Sequence, residues 1–209
     1  MSPASASSLP VRSLLHRPRQ KRSIARVHAI LDGAIEVLIL DGLEGFNTNR
    51  VAECAGVPVG SLYQYFPHKE AILAAVLERG VLEARALMWK VLEQGLDRPL
   101  EETVSSGVDA LVDMLLPHRA LTGALMEGVP LLGPSAGMQP LEDTLRELAT
   151  AWVRARPGRH QPDLAQLFLL VRGGVFSFLA WVVEQPEELP RDVFVPALTG
   201  HIVDTMTPR

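Results

Sequence analysis

Twenty-three residues, Thr48 to Glu70, constrain this chain more than any other stretch: TNRVAECAGVPVGSLYQYFPHKE. Thr48 or Asn47 can cap a first helix, since a short polar side chain there accepts a bond from an unpaired backbone N–H. Val51, Ala52 and Ala55 give that helix an inner face, and Gly56 stops it. A second helix is expected from about Pro58 to Tyr65, burying Leu62, and a third starts after Pro67 and His68. Two short helices around a glycine-containing turn form a helix-turn-helix, whose second helix fits a DNA major groove.

The rest of the chain must supply a setting for that unit. At 209 residues there is room for it and for a helical body with its own core. The residues are 47% hydrophobic and the mean hydropathy is +0.16, which points to extensive helix–helix burial, including burial between subunits. No apolar run approaches the ~20 residues a membrane span needs. The most apolar segment, Leu164 to Val183, is broken by Arg172, Gly173, Gly174 and Ser177. A single cysteine, Cys54, excludes an internal disulfide framework and fits a reducing cytosol. The N-terminal residues lack the apolar core of a secretory signal. A cytoplasmic location is therefore expected.

The net charge of −4 conceals an asymmetry. Residues 1–69 hold eight Lys or Arg against five Asp or Glu; residues 70–209 hold twelve against nineteen. A basic end on an acidic body suits a polyanionic partner at one end only. Arg12, Arg17, Arg19, Lys21 and Arg22 occur with no acidic residue among them. They read either as a solvated tail or as an arm that touches phosphates or a minor groove.

Along the chain, residues 1–20 are rich in Ser, Pro and Arg and predict a disordered basic arm. Apolar positions 24, 27, 31, 34, 35 and 38 have helical spacing, ended by Gly42 and Gly45. Phe46 stands where it can staple the start of the next helix. A long helix follows His68, with a stripe through Ile72, Val76, Leu87 and Val91 that tolerates Gly80. Further helices are expected over 99–116, 118–129, 141–156, 162–184 and 190–206, with a loop or distorted turn over Pro130 to Pro140. There is no β alternation and no repeat. The expectation is an all-α chain of about nine helices.

Taken together, the residues from about Ile24 to Val76 resemble the TetR family of bacterial transcriptional regulators. The resemblance rests on TNRVAECAGV, then GSLYQYF, then HKEAIL, in the family's order and spacing. Pro58 and His68 depart from it, because Ser, Thr or Asn is more frequent at those caps. The resemblance implies a helix-turn-helix DNA-binding domain over 21–67 and a helical ligand-binding and dimerisation domain over 68–209. It further implies a homodimeric repressor on a palindromic operator, released when a small effector binds the body. A regulator or activator on the same scaffold without an inducer is the alternative.

Carried onto matching positions, the DNA face comprises Thr48, Asn49, Val59, Gly60, Ser61, Tyr63, Gln64, Tyr65 and Lys69. Thr48 at a helix start can meet a phosphate. Gly60 lets backbone approach the groove, Val59 can touch a thymine methyl, and Ser61 and Gln64 can bond base edges. Leu62 and Phe66, four apart, take the buried face, which turns Tyr63 outward with its hydroxyl free for a phosphate, and Tyr65 is assigned the same role. Lys69 in the first turn of the long helix opposes the helix dipole, and a phosphate there would offset that cost. Each has a plainer reading as cap, packing residue or solvated face. Cys54 reads as a small buried residue rather than a redox sensor.

Outside the head, candidates for an effector pocket are Met114, His118, Met126, Trp152, Phe168, Phe176 and Trp181, although residues of these types at helical spacing are more often core. The low charge of these helices suits an apolar or aromatic effector. Gly173-Gly174 within an apolar helix implies close helix approach or a bend, so the last two helices are the expected dimer seam, a four-helix interface. Gly133 to Gly137 matches G-x-S-x-G, which makes Ser135 a remote candidate for a hydrolytic nucleophile, but that motif needs a preceding strand. No metal-ligand spacing or cofactor loop is present, so no catalysis, metal or cofactor is expected.

Overall fold

A computed structural model describes residues 14–15, 20–136, 139–154 and 164–207. Every regular element among them is helical. The helices are α1 (Lys21–Leu40), α2 (Thr48–Cys54), α3 (Val59–Tyr63), α4 (Lys69–Gln94), α5 (Leu100–Leu115), α6 (Arg119–Ala136), α7 (Gln139–Arg154), α8 (Leu164–Glu184) and α9 (Arg191–Met206). A single turn, Gly42–Gly45, stands between α1 and α2, and a 3-10 turn, Leu116–His118, joins α5 to α6. The chain is thus all-α, as its periodicity predicts.

The chain forms two compact units. One comprises residues up to Leu82 with Gly123–Pro140, and the other Glu83–Thr122 with Leu141–Arg209. In the first, α1 buries Val27, Ile30, Leu31, Ala34, Val37 and Leu38, at i, i+3, i+4 and i+7 spacing. This stripe packs on α2, whose Val51 and Ala52 are buried, and the core continues through Leu62, Phe66, Ile72 and Leu73. Gly33 makes the approach possible: a Cβ there would sit 2.7 Å from the backbone nitrogen of Ala55. Arg79 of α4 bonds Asp32 of α1 at 2.6 Å across the same unit.

In the second unit α9 packs against α5 and α8. Val108, Val112, Phe178, Trp181, Val182, Phe194, Val195 and Leu198 form its core. Trp181 stacks on Phe194 with ring centroids 4.4 Å apart and planes 6° from parallel, and its indole N–H donates to the Leu189 carbonyl at 2.7 Å. Arg191 clamps α9 to α5 through Asp109 and Asp113, both at 2.7 Å. Those two carboxylates raise the guanidinium's pKa further above its ordinary value.

One expectation fails. The loop read over Pro130 to Pro140 is largely helix, because α6 runs from Arg119 to Ala136, through Pro130. Pro130 is exposed, so the carbonyl four residues back, which loses its N–H partner, can turn to water. Gly128, two residues earlier, is buried against Leu73, and a Cβ there would lie 2.5 Å from that side chain. Packing of this kind outweighs the local cost of the proline, which is about 3 kcal/mol in isolation. Ser135 consequently lies in the last turn of a helix, not after the strand that a nucleophile elbow requires.

Candidate nucleic-acid interface

The helix-turn-helix is built by local signals that can be followed bond by bond. Asn47, extended at φ −147°, caps α2: its Oδ1 accepts from the Arg50 N–H at 3.0 Å. Phe46 before the cap and Val51 inside it are both buried, in the positions of a hydrophobic staple. At the other end Gly56 adopts φ +63°, a left-handed conformation that favours glycine. The Gly56 N–H then reaches the Glu53 carbonyl at 3.1 Å, and the Val57 N–H reaches Ala52 at 3.0 Å. This paired closure ends α2 within one residue and starts the turn. Pro58 begins α3 without a side-chain cap; the Ser61 N–H bonds its carbonyl at 2.8 Å.

Capping of α4 falls to His68, whose Nδ1 accepts from the Ala71 N–H at 3.2 Å. The same nitrogen lies 3.1 Å from Glu70 Oε2. It cannot serve both, since accepting from Ala71 requires a bare lone pair and pairing with Glu70 requires a proton.

These elements bring most of the expected face together. Thr48, first residue of α2, shares a 3.0 Å hydrogen bond between its Oγ1 and the Tyr63 hydroxyl of α3. Tyr63 is 46% exposed. Asn49, Gly60 and Gln64 are exposed, while Val59 and Ser61 are half-buried. A Cβ added to Gly60 would meet nothing within 4 Å, so the outer side of α3 is open there. Half-buried Lys69 directs its ammonium to the Phe46 carbonyl at 3.4 Å, beside the start of α2. A hydroxyl pair and an ammonium near one helix start are donors of the kind that hold a phosphate.

Tyr65 corrects the expectation that it turns outward, because it is only 8% exposed. It lies three residues after Leu62, and Phe66 four after, so both join the inner face. Backbone N–H groups of both return to the Leu62 carbonyl at 3.0 Å, which carries the helical course past Tyr63 and fixes that direction.

Sequence reasoning passed over Arg50. Its Nε donates to Asp41 at 2.9 Å and its Nη1 to Glu53 at 2.9 Å. Hydrogen bonds to these carboxylates raise its pKa well above the ordinary value. The charge is thus committed to orienting α2 against the turn before it. Its signal was present, in that Arg50 and Glu53 are three apart, but Asp41 is joined only by the fold.

The expected pocket residues do not converge in the same way. Trp181 is 3% exposed and belongs to the stacked core, which corrects its assignment as a ligand contact. Met114 and Met126 are half-buried, His118 is exposed, and Phe176 is 44% exposed. The side chains of Trp152 and Phe168 lie outside the described residues. Within the second unit Trp89, Asp143, Arg146, Glu147, Thr150 and Ala151 line an open groove of about 400 Å³, over which Arg85 bonds Glu147 at 2.8 Å. None of these was expected.

Comparison with known proteins adds to this geometry. Residues 30–76 match the sequence model for bacterial regulatory proteins of the tetR family. The HTH-type transcriptional regulator RutR of Escherichia coli K12 is 27% identical over 141 residues, covering 66% of this chain and 66% of RutR. The HTH-type transcriptional regulator EthR of Mycobacterium tuberculosis H37Rv is 31% identical over 123 residues, covering 59% of this chain and 56% of EthR. The matched stretches thus span about two thirds of RutR and just over half of EthR. Among solved structures, the multidrug binding protein EbrR complexed with imidazole shares the fold at a TM-score of 0.62, with 19% identity over 88% of this chain and 96% of EbrR.

Proposed function

Because residues 30–76 match the sequence model for bacterial regulatory proteins of the tetR family, and RutR and EthR are similar over much of their length, we propose that the chain is a homodimeric transcriptional repressor of that family that binds a palindromic operator and releases it on binding a small apolar or aromatic effector. The observation that carries the reading is the Thr48–Tyr63 hydroxyl bond, which ties the start of α2 to the exposed side of α3. Each partner holds the other beside open Gly60, so a groove wall could meet both helices at once. In this reading Val59, Ser61 and Gln64 face base edges, and Thr48, Tyr63 and Lys69 hold phosphates. The two α3 helices of a dimer would enter successive major grooves, about 34–36 Å apart.

The dimer is supported by apolar exposure on the last two helices. Leu169 is 67% exposed and Phe176 44% on α8, and Val193 is 49% exposed on α9. Gly173 lies on the same side of α8, with nothing within 4 Å of a Cβ added there. The effector class is supported by the apolar helices of the body and by the multidrug binding of EbrR, a neighbour in fold.

The test starts from duplexes selected out of a random pool by the full chain. Gln64→Ala should weaken binding to the selected sequence by about 1–3 kcal/mol, with helicity and dimer mass unchanged. Undiminished binding by Gln64→Ala and Tyr63→Ala together would sink the assignment. Effector response is read by quenching of the three tryptophans across a panel of apolar and aromatic compounds, followed by release of the duplex.

A further inference from the structure

We propose that the groove of the second unit takes an aromatic compound with an α-amino-acid head group, its ring against Trp89 and its two charges on Arg146 and Asp143. The inference rests on the effector-responsive reading above and narrows the effector to that class. Trp89 on α4 and five residues of α7 line the groove, whose volume of about 400 Å³ is that of a small-molecule site. Asp143, Arg146, Glu147, Thr150 and Ala151 share one face of α7, because they follow one another in steps of three or four or lie side by side. All six lining residues belong to the second unit.

The two ion pairs of the groove differ in what they hold. Glu147 receives Nη2 of Arg85 on both its oxygens, at 2.8 and 2.9 Å, so this pair ties α4 to α7 and forms a fixed wall. Arg146 and Asp143 pair within one helix, through a single contact of 3.1 Å, with side chains 59% and 42% exposed. An exposed i, i+3 pair adds little to a helix that forms without it. Neither side chain has another partner among the described residues. Opening the pair therefore costs little, and it presents a guanidinium fork and a carboxylate one turn apart. An α-carboxylate fits the first and an α-ammonium the second, each through charge-assisted hydrogen bonds.

Trp89 supplies the remaining contact. It is half-buried, and its indole N–H has no hydrogen-bond partner among the described residues. The N–H of Trp181, by contrast, donates to the Leu189 carbonyl. An indole left in this state offers a stacking surface and a spare donor. Thr150, whose hydroxyl donates to the Arg146 carbonyl at 2.7 Å, and Ala151 bring no charge to the wall beyond the ion pairs, where a ring can lie. The formal charges round the groove balance, Arg85 and Arg146 against Asp143 and Glu147. A ligand with one charge leaves one member of the opened pair without its partner, whereas a zwitterion meets both.

The experiment is calorimetric titration of the full chain, without DNA, by L-phenylalanine, L-alanine, phenethylamine and hydrocinnamate at neutral pH. L-phenylalanine should bind at least about tenfold more tightly than the other three, which lack the ring, the carboxylate and the ammonium respectively. Arg146→Gln should abolish the preference over phenethylamine and keep that over hydrocinnamate; Asp143→Asn should do the reverse. A merely structural role for the pair would not divide the preferences in this way. No binding of L-phenylalanine, equal binding of the analogues, or wild-type preferences in both variants overturns the proposal. Failure of the regulator reading shows separately, as a chain that selects no duplex, and leaves the titration to decide the site. Where a duplex is selected, L-phenylalanine should release it; binding without release overturns the groove as the effector site.

Discussion

At the residue scale, two hydroxyls and one glycine carry most of the weight in the first unit. The Thr48–Tyr63 bond joins two helices that share few other polar contacts at the surface. Tyr63→Phe keeps the ring and removes the link. It should lower stability by only about 0.5–1.5 kcal/mol, the net worth of one exposed-side hydrogen bond, while reducing operator affinity further if Tyr63 holds a phosphate as proposed. Urea titration and a DNA-binding isotherm on the same sample separate the two effects. Gly33→Ala acts on the fold alone. Its new Cβ would meet Ala55 backbone at 2.7 Å, so α1 must shift, at about 1–3 kcal/mol of stability. The expected reading is a lower urea midpoint with an unchanged m-value. Gly33 and Tyr65 were illegible in the sequence for one reason. Whether a helix needs a glycine, or turns an aromatic inward, depends on which backbone lies opposite, and that partner is set by packing between segments. Tyr65 had a further difficulty, because its direction depends on the helical course continuing past Tyr63.

At the scale of elements, the helix-turn-helix was readable because its instructions are local. The cap at Asn47, the left-handed Gly56 and the proline that opens α3 each act within four residues. Asn47→Ala should therefore cost about 0.5–2 kcal/mol, seen as a lower thermal midpoint. α6 was misread because its local signals point the wrong way: Pro130 argues for a break, and only packing of residues such as Gly128 on Leu73 carries the helix onward. The effector site was hardest to read, since half-buried aromatics and methionines look alike whether they line a groove or fill a core. Gly60 shows an element kept below its best stability. It sits in α3 with open space beside it, so Gly60→Ala should stabilise the chain by about 0.5–1 kcal/mol. In the proposed complex the added methyl would stand where the groove wall approaches. Higher thermal stability together with weaker operator binding is the expected pair of results; tighter binding would remove α3 from the interface.

At the scale of the whole molecule, the question is what a single subunit leaves unfinished. α9 buries Phe194, Val195, Leu198 and Met206 against its own unit, yet Val193, Pro196, Ala197, Gly200 and His201 remain exposed along its other side. α8 likewise exposes Leu169, Gly173, Phe176 and Ser177. Such faces combine large apolar groups with small residues, which lets helices from two copies approach closely and bury area that water now covers. The helical signal for α8 was legible as an unusually apolar segment, but which side of it faced its own core was not. In the proposed complex a palindromic operator would supply the reason for a dimer: one head would read each half-site, and two heads would add their binding energies on one duplex. Phe176→Glu combined with Leu169→Glu places a charge on each of two exposed positions that the subunit's own core does not use. The variant should keep its helicity and its ability to contact DNA non-specifically, sediment as a monomer, and lose about 10²-fold or more in affinity for the full palindrome. Binding to an isolated half-site should be unchanged. A variant that still sediments as a dimer would place the seam elsewhere; a monomer that binds the palindrome as tightly as the wild type would show that two heads are not needed.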